Sequence, residues 1–258
     1  MFKRLLLLLL GAVLMVVVFV MATFGSMLYH AQPILDGADL GGVEVVADEY
    51  VAAYLLDVAE DQVALVDCLD EADATHLLAA LTDRGLGPDN VVAVFLTHGH
   101  SDHISGCTGF PKASVFALDT EVPLIEGRVG ARGPIPRLMG AQDIGLRVSN
   151  PVRDGDVITM GELSARVYAV PGHTAGSAAW LIRDVLFMGD AAMLDRDGGL
   201  DGTPWIVSDD VNQNLRSLGA LSERLKADQV EPRFMAFGHS AHAQGVKPLY
   251  DLAAAIGG

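Results

Sequence analysis

The sequence predicts a mixed α/β fold, and three observations carry that prediction. Apolar runs of strand length alternate with segments of helical period. Histidines and acidic residues recur where apolar runs end, as polar sites do in open α/β sheets. Hydrophobic residues make up 51% of the 258, against 19% charged, which is enough for a sizeable core and too apolar for a disordered chain.

The chain begins "MFKRLLLLLLGAVLMVVVFVMATFGSMLYHAQ", with Lys3 and Arg4 followed by an uncharged run from Leu5 to Leu28. At about 1.5 Å per residue such a run exceeds a hydrocarbon core of about 30 Å. It is longer than the apolar part of a cleavable signal, about 7–15 residues, and no good small-residue cleavage site closes it. Residues 1–30 are therefore expected to form a signal anchor, a transmembrane helix meeting the lipid bilayer through residues 5–28. Positive charge precedes the run, and Asp36, Asp39 and Glu44 follow it. This places a single-pass protein in the membrane with its main domain on the extracytoplasmic side, periplasmic in a bacterium. Secretion after signal cleavage is the alternative. Residues 31–42, with Pro33 and several glycines, read as a linker, and 43–258 as one domain.

Within that domain "VEVVA" (43–47), "VAAYLLDV" (51–58) and "VALVD" (63–67) are strands separated by polar turns. Leu77, Leu78 and Leu81, ahead of a Gly85 stop, make 71–85 an amphipathic helix. "VVAVFLT" (91–97) and "ASVFAL" (113–118) are strands, and 121–145, rich in proline and glycine, is irregular. "ARVYAV" (165–170), "AAWLIR" (178–183) and "VLFMGD" (185–190) are strands, and 194–208 is irregular again. A helix over 209–225, a short strand "FMAFG" (234–238) and a terminal helix "VKPLYDLAAAI" complete the chain.

The formal charge is −16, with 17 basic residues against 33 acidic ones. Binding a polyanion requires Lys and Arg to displace its counterions, so nucleic acid is excluded as a partner and a small-molecule substrate is expected. Cys68 and Cys107 read either as a disulfide or as two small buried thiols.

The chemistry concentrates in "LTHGHSDHISG" (96–106), which packs His98, His100, Asp102 and His103 into six residues. Such groups are costly to bury unpaired. His98 and His100, two apart on an extended chain, project to one side, and Gly99 lets the backbone turn tightly. Further on, His173 in "VPGHTAGS", Asp190 in "LFMGD" and His239 in "MAFGHS" each follow an apolar strand beside glycine. Singly, each reads as an ordinary polar residue at a strand end; together with the 98–103 cluster they read as metal ligands. His30, His76 and His242 fall outside the pattern, and Pro204 and Trp205 either wall a pocket or cap a core.

This pattern, H-x-H-x-D-H followed by "PGHTAGS", "GD" and "GHS", resembles the metallo-β-lactamase superfamily across residues 43–258. The resemblance implies a four-layer αβ/βα sandwich and a dinuclear-metal-dependent hydrolase. His98, His100 and His173 would hold one divalent ion, and Asp102, His103 and His239 the second. Asp190 would bridge the two. Zinc suits these ligands best, with iron or manganese as alternatives. Asp102 would also serve catalysis by orienting an attacking hydroxide and handling its proton. Asp67, ending "ALVD", matches the family's early aspartate, which supports the ligands by hydrogen bonds, although "DCLD" departs from the commoner Asp-Thr-Gly or Asp-Ser-Gly.

The segments between ligands, 119–150 and 194–210, are expected to set the substrate. The family's β-lactamases do not usually carry both Asp102 and Asp190, its RNA-processing members favour basic surfaces, and its acyl-homoserine lactonases carry a tyrosine that "GDAAMLD" lacks. An ester, thioester or lactone remains. The alternative is an iron-dependent persulfide dioxygenase on the same fold, and a non-catalytic module is a third reading.

Overall fold

The structure, a computed structural model, describes residues 2–257. Helix α1 (Phe2–His30) comes first. The first sheet then assembles from β1 (Val43–Ala47), β2 (Ala52–Ala59), β3 (Gln62–Val66), β4 (Val91–Phe95), β5 (Ser114–Leu118) and β6 (Asn150–Val152), in that spatial order. Helix α2 (Thr75–Asp83) joins β3 to β4, while the short α3 (Ser101–Ile104) and α4 (Val122–Ile125) follow β4 and β5. The second half contributes β7 (Val157–Met160), β8 (Leu163–Ala169), β9 (Ala178–Ile182) and β10 (Val185–Phe187). A two-stranded ribbon of β11 (Ala192–Leu194) and β12 (Leu200–Gly202) precedes α5 (Val211–Ala227). Strands β13 (Phe234–Ala236) and β14 (Ala243–Gln244) and helix α6 (Lys247–Gly257) end the fold. The second sheet runs β14-β13-β10-β9-β8-β7.

Side-chain alternation along the strands assigns the layers. On β2, Ala52, Tyr54 and Leu56 face the second sheet, meeting Trp180, Ile182 and Phe187 in a core between the two sheets. Ala53 and Leu55 point the other way, into a second core with Leu77 and Leu81 of α2. On the far side Leu218, Leu221 and Leu225 of α5 and Leu249 of α6 cover the second sheet. Each of these buried leucines contributes on the order of 1.5–3 kcal/mol relative to exposure. The result is the αβ/βα sandwich that the resemblance implied.

Three expectations need correction. Among the described residues, no helix is long and apolar enough to cross a membrane. The expected transmembrane anchor, its bilayer contact through 5–28 and the extracytoplasmic localisation built on it are therefore overturned. The C-terminal end of α1 instead docks on the domain. His30 O accepts the Arg196 N–H at 2.9 Å, the Arg196 guanidinium lies 4.9 Å over the Tyr29 ring, and Phe19 sits 6.4 Å from Trp205.

Helix α2 begins at Thr75 rather than 71, because Ala74 takes a left-handed conformation at φ 53° and starts the helix late. The 121–145 segment is mostly irregular but contains the one-turn α4. Strands β6 and β7 escaped the sequence reading for a common reason. Both are edge strands, one of three residues centred on Pro151 and the other half exposed, so neither carries a buried alternation.

Candidate metal centre

The strand directions bring the polar groups to one place. Strands β8 and β10 both run antiparallel to β9, and β13 runs parallel to β10, so β8, β10 and β13 end on the same edge. His173 follows β8, Asp190 follows β10 and His239 follows β13, while the 98–103 cluster follows β4 of the opposite sheet. Gly238 permits the closest approach. A Cβ there would lie 2.7 Å from His103 Cε1 and would also collide with Asp190. Gly99 does not act through a left-handed turn, since its φ is not positive. A Cβ at Gly99 would instead press within 3.0 Å of the Ile125 backbone nitrogen.

All seven candidate ligands meet. His173 Nε2 lies 3.1 Å from His98 Nε2 and 2.9 Å from His100 Nδ1. His239 Nε2 lies 3.2 Å from Asp102 Oδ2, and His103 Nε2 lies 3.9 Å from the same oxygen. Asp190 stands between the groups. Its Oδ2 is 3.5 Å from His173 Nε2 and 3.1 Å from His239 Nε2, and its Oδ1 is 3.2 Å from His103 Nε2.

The hydrogen-bond network behind the rings fixes which nitrogens carry protons. Asp67 Oδ2 accepts from Thr97 Oγ1 at 2.6 Å and from His103 Nδ1 at 2.8 Å. The Thr97 hydroxyl oxygen is then free to accept from His98 Nδ1 at 3.1 Å. Ser208 Oγ donates to Pro204 O, which leaves the Thr203 and Ser208 hydroxyl oxygens to accept from His173 Nδ1 at 2.8 and 3.0 Å. Tyr50 O accepts from His239 Nδ1 at 2.8 Å. In each case the opposite nitrogen, Nε2, turns inward, where the neutral ring presents a lone pair.

Two lone pairs on His98 and His173, 3.1 Å apart, repel unless a cation lies between them. His103 Nε2 and Asp190 Oδ1 are buried without a hydrogen-bond partner, an expensive condition in a protein interior. Three groupings within ligand reach result: His98, His100 and His173; His98, His103 and Asp190; and Asp102, His103 and His239. Imidazole lone pairs with carboxylates form a donor set suited to a divalent metal.

Electrostatics divides the cluster. Burial holds His98 well below its ordinary pKa and pushes His173 down to about 3, with neighbouring histidines adding to the shift. Burial also lowers His100. These three are neutral at physiological pH, as ligands must be. At His239 burial acts downward too, but the Asp190 and Asp102 carboxylates outweigh it and push the group up to about 10. The same carboxylates raise His103. For Asp102 and Asp190, burial acts upward and is outweighed by His103 and His239, so both lie below the usual carboxylate range.

A cavity of about 530 Å³ opens directly over this cluster, with His100, Asp102, Asp190 and His239 in its lining. Its walls come from both inter-ligand segments, Leu124, Ile135 and Met139 from one and Pro204 and Val207 from the other. Pro204 therefore walls the pocket, whereas Trp205 is half exposed and turns toward Phe19. His76 pairs with Glu71 at the surface, away from the site.

Sequence reasoning missed two residues. The buried Glu121 carboxylate accepts the Gly99 N–H and the Gly176 N–H, each at 2.8 Å, and so ties the 98–103 loop to the His173 loop. Burial pushes it up to about 7. Its signal was available, as an acidic residue just past β5. Tyr50 lies parallel to the His239 ring at 5.8 Å and lines the cavity. Nothing in its sequence context marked it.

Comparison with known proteins bears on this geometry. The family described as the metallo-beta-lactamase superfamily matches residues 46–239. Hydroxyacylglutathione hydrolase of Brucella anthropi is 29% identical over 167 residues, covering 64% of this chain and 55% of its own length. That of Rhodobacter capsulatus is 32% identical over 151 residues, covering 57% and 50%. The chain thus spans about half the length of these relatives. A metallo-beta-lactamase family protein from Thermus thermophilus superposes with a TM-score of 0.63 at 26% identity, covering 85% of this chain and 81% of that one.

Proposed function

The chain belongs to the metallo-beta-lactamase superfamily, and we propose that it is a metal-dependent hydrolase that cleaves an ester, thioester or lactone with two divalent ions, zinc by preference. One observation carries the reading: imidazole nitrogens from two histidine groups converge on the Asp190 carboxylate, whose Oδ1 has no hydrogen-bond partner, at the floor of an open cavity. The relatives named hydroxyacylglutathione hydrolases support it, since hydroxyacylglutathione is a thioester.

His98, His100 and His173 would hold the first ion, Asp102, His103 and His239 the second, and Asp190 both. Ions so held would supply Lewis acidity and a water of lowered pKa. The chain's own groups do the rest. Asp67, Thr97, Thr203, Ser208 and the Tyr50 carbonyl fix the imidazole tautomers from behind. Asp102 is ionised and lines the cavity, so its carboxylate accepts the proton of the attacking water and returns it to the leaving oxygen or sulfur. The apolar walls exclude bulk water, which strengthens every charge interaction at the floor.

The test is elemental analysis of the purified chain together with a panel of ester, thioester, lactone and phosphodiester substrates. The expected result is about two zinc-class ions per chain and turnover of an acyl substrate. A chain that binds no metal under native conditions overturns the reading. So does bound iron with oxygen consumption on a persulfide and no hydrolysis.

A further inference from the structure

The cavity above the metal centre has a chemical character of its own. Leu124, Ile135, Met139, Ile144, Met193 and Val207 line it, and among the described residues no lysine or arginine does. The wall is preformed. Asp209 accepts the Arg132 N–H and Nε–H, each at 2.9 Å, which fastens the 126–140 loop to the entrance of α5. The same loop folds tightly on its surroundings. A Cβ at Gly130 would come within 2.9 Å of the Gly140 carbonyl carbon, and one at Gly133 within 2.7 Å of the Val207 backbone. Arg132, next to the lining residue Ala131, is thereby spent on Asp209 rather than offered to a ligand, and Arg137, next to the lining residue Pro136, is exposed and outside the lining. Leu138 and Met139, 75% and 66% exposed, carry apolar surface from the wall out to the same loop's exterior.

These features select against a charged acyl carrier. Glutathione bears two carboxylates, and a carboxylate entering an apolar cavity without a cationic partner loses its hydration uncompensated. They select for a hydrocarbon chain, whose burial against such walls is favourable in proportion to its area. At about 30 Å³ per non-hydrogen atom, the share of volume that water takes, a 530 Å³ cavity holds about 18 such atoms.

We propose that this cavity takes the saturated acyl chain of a neutral ester or thioester, of a length within the volume it encloses. The scissile carbonyl would lie at the Asp102–Asp190 floor, and the chain would run along Leu124, Ile135 and Met139. The inference rests on the hydrolase reading above and narrows its substrate class.

The experiment uses the metal-loaded full chain and a series of acyl thioesters of one neutral thiol, N-acetylcysteamine, from acetyl to decanoyl, with hydroxyacylglutathione alongside. Each added methylene is expected to raise kcat/KM up to about fourfold until the chain fills the cavity. Hydroxyacylglutathione is expected to fall below the octanoyl thioester. A flat or falling chain-length profile, or hydroxyacylglutathione as the best substrate, overturns the assignment while leaving the hydrolase reading intact.

Calorimetric binding of the product carboxylates reads the cavity without turnover. Octanoate is expected to bind at least about tenfold tighter than butanoate, and equal affinities overturn the proposal. Absence of turnover on every substrate with metal bound would sink the hydrolase reading separately. Ile135→Asp is expected to lower the octanoyl-to-acetyl ratio of kcat/KM at least about tenfold. Met139→Ser, nearer the rim, is the second variant should Ile135→Asp fail to fold, and an unchanged ratio in a folded variant overturns the assignment.

Discussion

The Asp67 carboxylate accepts the Nδ1–H of His103 at 2.8 Å while also accepting the backbone N–H of Thr97 at 2.8 Å and its hydroxyl at 2.6 Å. One carboxylate thus orients His103 directly and His98 through Thr97, whose oxygen faces His98 Nδ1. Asp67 itself takes a left-handed backbone conformation, φ 57°, to reach them. In Asp67→Asn the backbone is tolerated, because asparagine enters that region readily. The amide, however, has one oxygen for three donors. Metal affinity is expected to fall about 10–100-fold, as measured by chelator competition. Wild-type affinity in the variant would show that Asp67 plays no orienting part.

Glu121 makes a prediction about pH. Burial raises its pKa to about 7 from an ordinary value near 4.5. Between those values the folded chain binds more protons than the unfolded chain, so stability falls as pH rises. The contribution is fully present below about pH 4.5 and lost through about pH 7, on the order of 3 kcal/mol in all. Glu121→Gln cannot titrate. The stability of wild type relative to that variant, from denaturant unfolding, should therefore decline by about this amount between pH 4.5 and 8. A constant difference across that range would mean that Glu121 carries its charge at no cost.

Much of this centre could be read in the sequence because four of the seven candidate ligands share one local arrangement, a polar residue next to glycine at the end of an apolar strand, and the other three crowd into 98–103 beside one of them. His173, Asp190 and His239 stood out only in company with the 98–103 cluster, since each alone reads as an ordinary strand-end residue. The layering came from the resemblance rather than from the strands: β2 is buried on both faces over Ala52–Leu56, but β8 exposes Ser164 and does not show it. Glu121 was not read, because its partners are backbone amides of Gly99 and Gly176, and a backbone partner leaves no trace in residue type. Tyr50 acts through its carbonyl and ring face, which many residues could supply. The N-terminal run misled, since apolar composition alone does not establish a membrane span.

Asp190 is expected to hold two ions rather than one, because its Oδ2 lies within 3.5 Å of histidines from both groups. Asp190→Ala should therefore lower metal stoichiometry from about two toward one as well as abolish turnover. A variant that retains full metal content and loses only activity would argue for a role in orienting substrate instead. Circular dichroism and unfolding controls matter here, since the deletion leaves His103 and His239 facing each other without the carboxylate between them.

Cys68 and Cys107 are joined by a disulfide, closing a loop with a sequence separation of 39 residues. The bond follows Asp67 directly and lies four residues beyond His103, and the Cys68 N–H donates to His103 O at 2.8 Å. The cross-link therefore fastens the carboxylate and the histidine that it orients to one another through the backbone. Constraining a loop of that length in the unfolded chain stabilises the fold by up to about 4 kcal/mol in the loop-entropy account. Reduction, or Cys107→Ser, should lower the unfolding free energy by about 2–4 kcal/mol. It should also weaken metal binding, because the Asp67–His103 geometry is then held by hydrogen bonds alone. Measuring the two effects separately decides between their causes. If stability falls while chelator competition gives the wild-type metal affinity, the disulfide is a staple for the fold and the metal centre is positioned without it.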